Sequence, residues 1–296
     1  MDKPKNTRIQ KDLDRIVAAL DAGGKIYRSR SMENVRAHKK RHGDAVTDAE
    51  LQVNQLLFEM LVQEGDGWLS EEDVDNEDRL RCSRIWLVDP LDGTKEYVAR
   101  IPEWSISIAL MEDGGFVGGG ILNPQTDELI YGSREIGVVC RNGRAHNAEM
   151  KILPREALVL ASRSEVERGE WKRFNQGPFQ ILAMGSVAYK LALVAAGKAD
   201  ATWTLVPKNE WDVAAGAALL QFAQGYLSTT EGLPPTFNRK KTLFPGLVGF
   251  SAAGVERLRP FLKSVMEGNE FRDCLPWARP LATLDSEIIR SRMQSR

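Results

Sequence analysis

Two carboxylates three positions apart, Asp89 and Asp92, flank Pro90 and Leu91 and are followed at once by Gly93-Thr94. Pro90 fixes its own backbone dihedral, so the bend can turn both acids and the Leu91 carbonyl toward one point. Hard oxygen donors of this kind suit Mg²⁺. Like charges held close are unfavourable unless a cation lies between them. Gly93 permits close backbone approach to a ligand, and the amides after it open a helix, which favours an anion there. A cation beside a helix start is a phosphate-ester site. The plainer alternative is an Asp-Pro, Asp-Gly turn carrying ordinary surface acids.

Two further acids bear on that choice. Glu71, in Ser70-Glu71-Glu72, offers a third carboxylate, although a charged stretch such as 71–81 is more often a solvated face. Asp212 opens a helix whose first turns are small residues; alone it reads as a helix cap. Gly216 inside that helix costs about 1 kcal/mol relative to Ala, which points to close packing or close approach.

The elements that must position these acids are legible in outline. Ile85–Val88 is a short apolar run of strand character that delivers Asp89. Trp104–Leu110 alternates with period two, and Phe116–Leu122, Glu128–Tyr131 and Gly137–Cys140 return after turns, so an antiparallel meander is expected. Residues 8–20 have helical spacing, with Gly23-Gly24 as the expected stop, and Thr47–Glu50 reads as a capping box opening a second helix. The span 33–44 reads as a loop. Beyond residue 150 come a strand at Leu158–Ala161, a helix at about 165–174, an apolar helix Val187–Ala196 closed by Gly197, a strand near Ala199–Leu205, the Asp212 helix, a late strand Phe244–Phe250 and a last helix 253–267. Helices and strands are mixed, so a layered α/β (α+β) sandwich is expected, divided into an N-terminal part, 1–150, and a C-terminal part, 151–296.

Bulk properties exclude several classes. The chain has 296 residues, 43% apolar content and a net charge of -1, which suits a folded protein with a real core and gives no sign of a nucleic-acid polymer or an anionic membrane as partner. No apolar run approaches the ~20 residues of a membrane span. Met1–Gln10 is polar, so no secretory signal is expected. Cys82, Cys140 and Cys274 are widely separated and odd in number, which fits scattered reduced thiols in the cytoplasm. His38, His42 and His146 show no metal spacing.

Asp89-Pro-Leu-Asp-Gly-Thr94, with Glu71-Glu72 upstream and Trp211-Asp-Val-Ala-Ala-Gly216 downstream, resembles the inositol monophosphatase superfamily, Mg²⁺-dependent, lithium-sensitive phosphomonoesterases. Order and spacing agree over residues ~8 to 250. The resemblance implies the layered αβαβα sandwich of the inositol monophosphatase and fructose-1,6-bisphosphatase type. It also implies two or three Mg²⁺ ions bound by Glu71, Asp89, Asp92, Asp212 and the Leu91 carbonyl. Glu71 and Thr94 would position and activate the attacking water, Asp92 would share in catalysis, and the Gly93 and Thr94 amides would hold the phosphate. One departure is Glu50, where the family often has Asp near the catalytic threonine; a capping role is its alternative.

Within the superfamily, Asp92-Gly-Thr-Lys-Glu-Tyr97 is similar to the Asp-Gly-Thr-Lys-Glu-Phe of bacterial 3'(2'),5'-bisphosphate nucleotidases of the sulfur-assimilation type. Ser162-Arg163-Ser164 resembles their Ser-Arg-Ser, and Gly185-Ser186 followed by Lys190 resembles their Gly-Ser-Ser-x-Lys. Ser186, Lys190 and Arg163 are thus expected substrate contacts, Lys208 and Glu210 would line the leaving-group side, with Lys208 a further substrate contact, and a second phosphate calls for a second cation such as Lys190. Lys190 could instead snorkel from an apolar helix, and Arg163 could be an ordinary strand-end charge. The implied reaction is hydrolysis of the 3'-phosphate of adenosine 3',5'-bisphosphate. Alternatives are an inositol-phosphate or other sugar-phosphate phosphatase, and a catalytically silent binder of phosphorylated ligands. A small phosphorylated substrate is the expected partner, and a homodimer is a candidate assembly.

Overall fold

A computed structural model describes residues 3–30, 37–39, 45–142, 156–175 and 177–267. His42, His146, Cys274, the turn residues Gly143 and Arg144, and the tail from Pro280 lie outside the described residues. The fold is a five-layer αβαβα sandwich. Helices α1 (Lys3–Ser29) and α2 (Asp48–Leu61) form the first layer. A six-stranded sheet follows: β3 (Gly67–Ser70), β4 (Arg84–Asp92), β5 (Ser105–Glu112), β6 (Gly115–Asn123), β7 (Glu128–Ser133) and β8 (Gly137–Arg141), side by side in chain order. Helices α5 (Val187–Ala195) and α6 (Glu210–Phe222) make the middle layer. The second sheet orders β10 (Phe179–Met184), β9 (Ala157–Ser162), β11 (Ala201–Thr204), β13 (Leu247–Phe250) and β12 (Tyr226–Thr229). The short α4 (Arg163–Glu167) and α7 (Ala252–Glu267) lie toward its outer side.

The meander β5–β8 forms as its alternation predicts, each strand antiparallel to the next. β4 is buried along nearly its whole length, because helices cover both faces of the sheet. It pairs in parallel with β3, whose last residue precedes Glu71, and antiparallel with β5. Its register with β5 breaks between Asp89 and Asp92. That irregularity lets the bend leave the sheet.

Three expectations are corrected. Gly23-Gly24 does not end the first helix, which runs on to Ser29. A Cβ on Gly23 would sit 3.0 Å from the Ile106 side chain, and one on Gly24 2.7 Å from that of Leu122. The glycines therefore let α1 lie close on the sheet. The helix expected over 165–174 is α4 and a separate 3-10 turn, Glu170–Phe174, broken by Gly169 in the left-handed region (φ 80°). The span 33–44 includes a short strand, β1 (Ala37–Lys39), paired with β2 (Ala45–Thr47).

The N- and C-terminal parts meet in the middle layer. One core joins Leu87, Ala109 and Ile121 of the first sheet to Leu191, Ala214, Ala218 and Leu247 of the second part. Gly216 serves close packing: a Cβ there would fall 2.4 Å from the Leu191 Cβ.

Candidate active site

Three acids from three elements converge. Ligand atoms of Glu71, just past β3, Asp89, near the end of β4, and Asp212, in the first turn of α6, all lie within 4.8 Å of one another. Asp89 is buried, while Glu71 and Asp212 are half-buried. Burial raises the Asp89 carboxyl well above the usual range, and the charges of Glu71, Asp92 and Asp212 raise it further. Asp212 is pushed up to about 7 by burial and by Asp92 and Glu71, against the opposing pull of Lys208. Neither Asp89 nor Asp212 forms an ion pair among the described residues.

Asp212 is both helix cap and member of the acidic cluster. Its Oδ2 accepts from the Asn209 amide at 2.8 Å, closing a capping box at the start of α6, and the same side chain belongs to the cluster. Glu50 is fully buried, and its carboxylate lies within the same 4.8 Å limit of Glu71 and Glu72. It therefore borders the acidic centre through Glu71.

The Asp89–Thr94 bend is held by its own hydrogen bonds. The Leu91 amide donates to Asp89 Oδ1 at 2.9 Å, and Thr94 Oγ1 donates to the Leu91 carbonyl at 3.3 Å. The buried Tyr27 hydroxyl of α1 donates to the Pro90 carbonyl at 2.9 Å. Gly93 has φ 98°, and a Cβ there would meet the Glu103 carbonyl and Trp104 at 3.1 Å. Only glycine suits that place. The short helix α3 (Thr94–Ala99) starts directly after it.

Asp92 takes a different part from the other acids. Its Oδ2 accepts from Ser186 Oγ at 2.6 Å and from the Ala188 amide at 2.7 Å. It thus occupies the N-terminus of α5 and ties β4 to the middle layer. Ser186 is correspondingly occupied: besides Asp92 it faces Ser105 Oγ at 3.0 Å and accepts from the Tyr189 amide at 3.0 Å. Its φ of 51° is unusual for a side-chain-bearing residue and is held by these bonds.

The expected substrate contacts divide. Lys190 is 2% exposed, and its Nζ donates to the carbonyls of Met184, Gly185 and Ser186 at 3.2, 3.3 and 3.2 Å. Burial lowers its ammonium to about 8. It holds the loop before α5 from inside. In Gly-Ser-Ser-x-Lys the lysine stands four residues after the glycine; Lys190 stands five after Gly185, and one residue turns a helix by about 100°. Arg163 pairs with Glu103, whose carboxylate also accepts from the Gly185 amide at 2.8 Å. Glu210 is fully buried and accepts from the Asn238 and Arg239 amides. Lys208 is half-buried, forms no ion pair among the described residues, and its charge acts on both Asp212 and Lys190. Of the four named contacts, it is the cation left available at the acidic centre. Glu103 was missed by sequence reasoning, since its partners lie 60 and 82 residues away.

Residues 10–252 match the model of the inositol monophosphatase family. The chain belongs to that family. Membership makes it a phosphoric monoester hydrolase of a family that acts on small phosphorylated substrates. It is 32% identical over 229 residues to an inositol-1-monophosphatase of Mesorhizobium japonicum, covering 73% of this chain and 84% of that one. It is 36% identical over 189 residues to the Escherichia coli 3'(2'),5'-bisphosphate nucleotidase CysQ, covering 60% and 73%. Among solved structures, the extragenic suppressor protein SuhB of Bartonella henselae superposes with a TM-score of 0.65 at 26% identity, covering 83% and 96%. No helix among the described residues is long and apolar enough to cross a membrane.

Proposed function

We propose that this family member is a Mg²⁺-dependent phosphatase that removes the 3'-phosphate of adenosine 3',5'-bisphosphate, releasing AMP and phosphate. The carrying observation is the convergence of Glu71, Asp89 and Asp212 beside the Gly93-Thr94 helix start. The donor set suits the ion. It is all carboxylate and closely spaced, and burial together with the neighbouring charges pushes Asp89 and Asp212 toward protonation; a small hard divalent cation relieves the repulsion. Glu71, Asp89, Asp212, the free side of Asp92 and the Leu91 carbonyl would hold two or three such ions. When bound, they supply acidification of water and charge neutralisation at the ester oxygens.

The protein's own groups do the rest. Glu71 and the Thr94 hydroxyl orient the attacking water, and the Gly93 and Thr94 amides hold the phosphate. Asp92, through Ser186 and the Ala188 amide, sets the loop that faces them. Lys190 and Arg163 support that loop from behind, and Lys208 is the cation for a second phosphate. The Lys95-Glu96 signature and the CysQ relative support the nucleotide substrate, and with it a lithium-sensitive place in sulfur metabolism. The separated cysteines fit a cytoplasmic setting. Phosphate release from adenosine 3',5'-bisphosphate, inositol 1-phosphate and a sugar bisphosphate, compared as kcat/KM, tests the assignment. The nucleotide is expected to lead. Inositol 1-phosphate leading instead would favour the second reading, which the longer match to the Mesorhizobium enzyme supports.

A further inference from the structure

The acidic cluster brings Glu71 and Asp212 together from remote parts of the chain, and a run of hydrogen bonds links the segments that carry them. Arg79 sits in the 3-10 turn Asp78–Arg81, eight residues beyond Glu71, and is 2% exposed. Its guanidinium makes four hydrogen bonds. Nε and Nη2 donate to the Asp75 carboxylate at 3.1 and 2.7 Å, Nη1 donates to Asn238 Oδ1 at 2.6 Å, and Nη2 donates to the Arg239 carbonyl at 2.9 Å. Arg79 packs against the start of β3: a Cβ on Gly67 would stand 2.9 Å from the Arg79 Cβ and 3.1 Å from its Cα. The loop leaving Glu71 is thereby fastened to residues 238–239.

Those two residues are fastened in turn to the helix that carries Asp212. The Asn238 and Arg239 amides donate to Glu210 Oε2 and Oε1 at 2.6 and 3.0 Å, and Arg239 Nε adds a bond at 3.1 Å. Thr242 Oγ1 donates to Asn209 Oδ1 at 3.2 Å, gripping the capping residue of α6 as well. Asn238 adopts φ 57°, a conformation asparagine tolerates. Glu210 is two residues from Asp212 in the first turn of α6, so its position fixes that of Asp212.

We propose that Arg79 and Glu210, bridged by Asn238 and Arg239, are positioning residues that set the spacing between Glu71 and Asp212 and hence the affinity of the site for a divalent cation. Both side chains are buried, and every hydrogen bond described above for them is made to the protein itself. A multidentate guanidinium fork suits the task because its geometry is fixed and its charge permanent. The inference rests on the metal-site reading above and adds to it the device that keeps the cluster at binding distance.

The test is Mg²⁺ binding to the full-length protein by titration calorimetry without substrate, alongside the half-saturating Mg²⁺ for turnover. Asn238→Gly keeps the positive φ and removes only the acceptor for Arg79; Asn238→Asp keeps an acceptor; Glu210→Gln weakens the link to α6. Changing a group bonded directly to a metal ligand alters affinity by about 10–100-fold, and Asn238 and Glu210 act one step further out, on the segments that carry the ligands. Asn238→Gly and Glu210→Gln are therefore expected to weaken Mg²⁺ binding about tenfold, the low end of that range. The substrate KM at saturating Mg²⁺ should stay within about twofold, and Asn238→Asp should bind as the wild type does. If Glu210→Gln does not fold, the pair at Asn238 still decides. Wild-type affinity in Asn238→Gly would overturn the clamp while leaving the metal site standing. A wild-type protein that binds no Mg²⁺ would remove the reading on which the clamp rests.

Discussion

At the scale of single residues, the site shows side chains with two duties. Asp212 caps α6 and joins the acidic centre. Asp92 anchors the N-terminus of α5 and adds its charge to Asp89 and Asp212. Thr94 has one clear attachment, its hydroxyl on the Leu91 carbonyl. Thr94→Ala leaves that carbonyl without this donor and deprives the proposed water of its hydroxyl partner, whereas Thr94→Ser retains the group. Steady-state kinetics should show a kcat loss of about 10²-fold or more for the alanine variant, the scale of general acid–base contributions, and a much smaller loss for serine. Equal losses in both would argue that the methyl, not the hydroxyl, matters.

At the scale of elements, the decisive contacts lie between α5, α6 and the first sheet. Gly216→Ala tests this packing. Alanine favours the helix by about 1 kcal/mol, but its Cβ would fall 2.4 Å from the Leu191 Cβ. Overpacking of this kind costs about 1–3 kcal/mol, so denaturant unfolding should show a net loss. A gain would mean that α5 and α6 can separate freely. The same elements show what the sequence made legible. β4, the Asp89–Thr94 bend and the meander β5–β8 rest on local patterns: apolar runs, a proline, turn residues. What stayed hidden depends on partners far along the chain. Gly23-Gly24 looks like a helix stop until Ile106 and Leu122 are seen beneath it. Lys190 gives no local hint of the three loop carbonyls its ammonium reaches. Arg163 gives no local hint of Glu103, and Glu210 none of Asn238 and Arg239.

At the scale of the whole molecule, the acidic centre draws on both halves of the chain and opposes the fold through the burial and mutual repulsion of its carboxylates. Asp212 titrates near 7 when folded and near 3.9 when unfolded. Between those values the folded state holds more protons, so stability falls as pH rises from about 4 to about 7, and the loss is complete above 7. Asp89 shifts in the same direction. A divalent cation bound to the ionised carboxylates offsets the repulsion. Thermal melts should therefore show a larger rise in Tm on replacing EDTA with Mg²⁺ at pH 8 than at pH 5.5. An equal rise at both would place the cation elsewhere.

The most direct test of the central claim is phosphate release from adenosine 3',5'-bisphosphate and inositol 1-phosphate, with Mg²⁺ and with EDTA, by the wild-type protein and by Asp89→Asn. The arrangement of Glu71, Asp89 and Asp212 predicts turnover of at least one ester that needs Mg²⁺ and falls by about 100-fold or more in Asp89→Asn, since changes to outer partners of metal ligands alone cost about 10–100-fold. Turnover that persists in EDTA, or that survives Asp89→Asn at near wild-type rate, would contradict it.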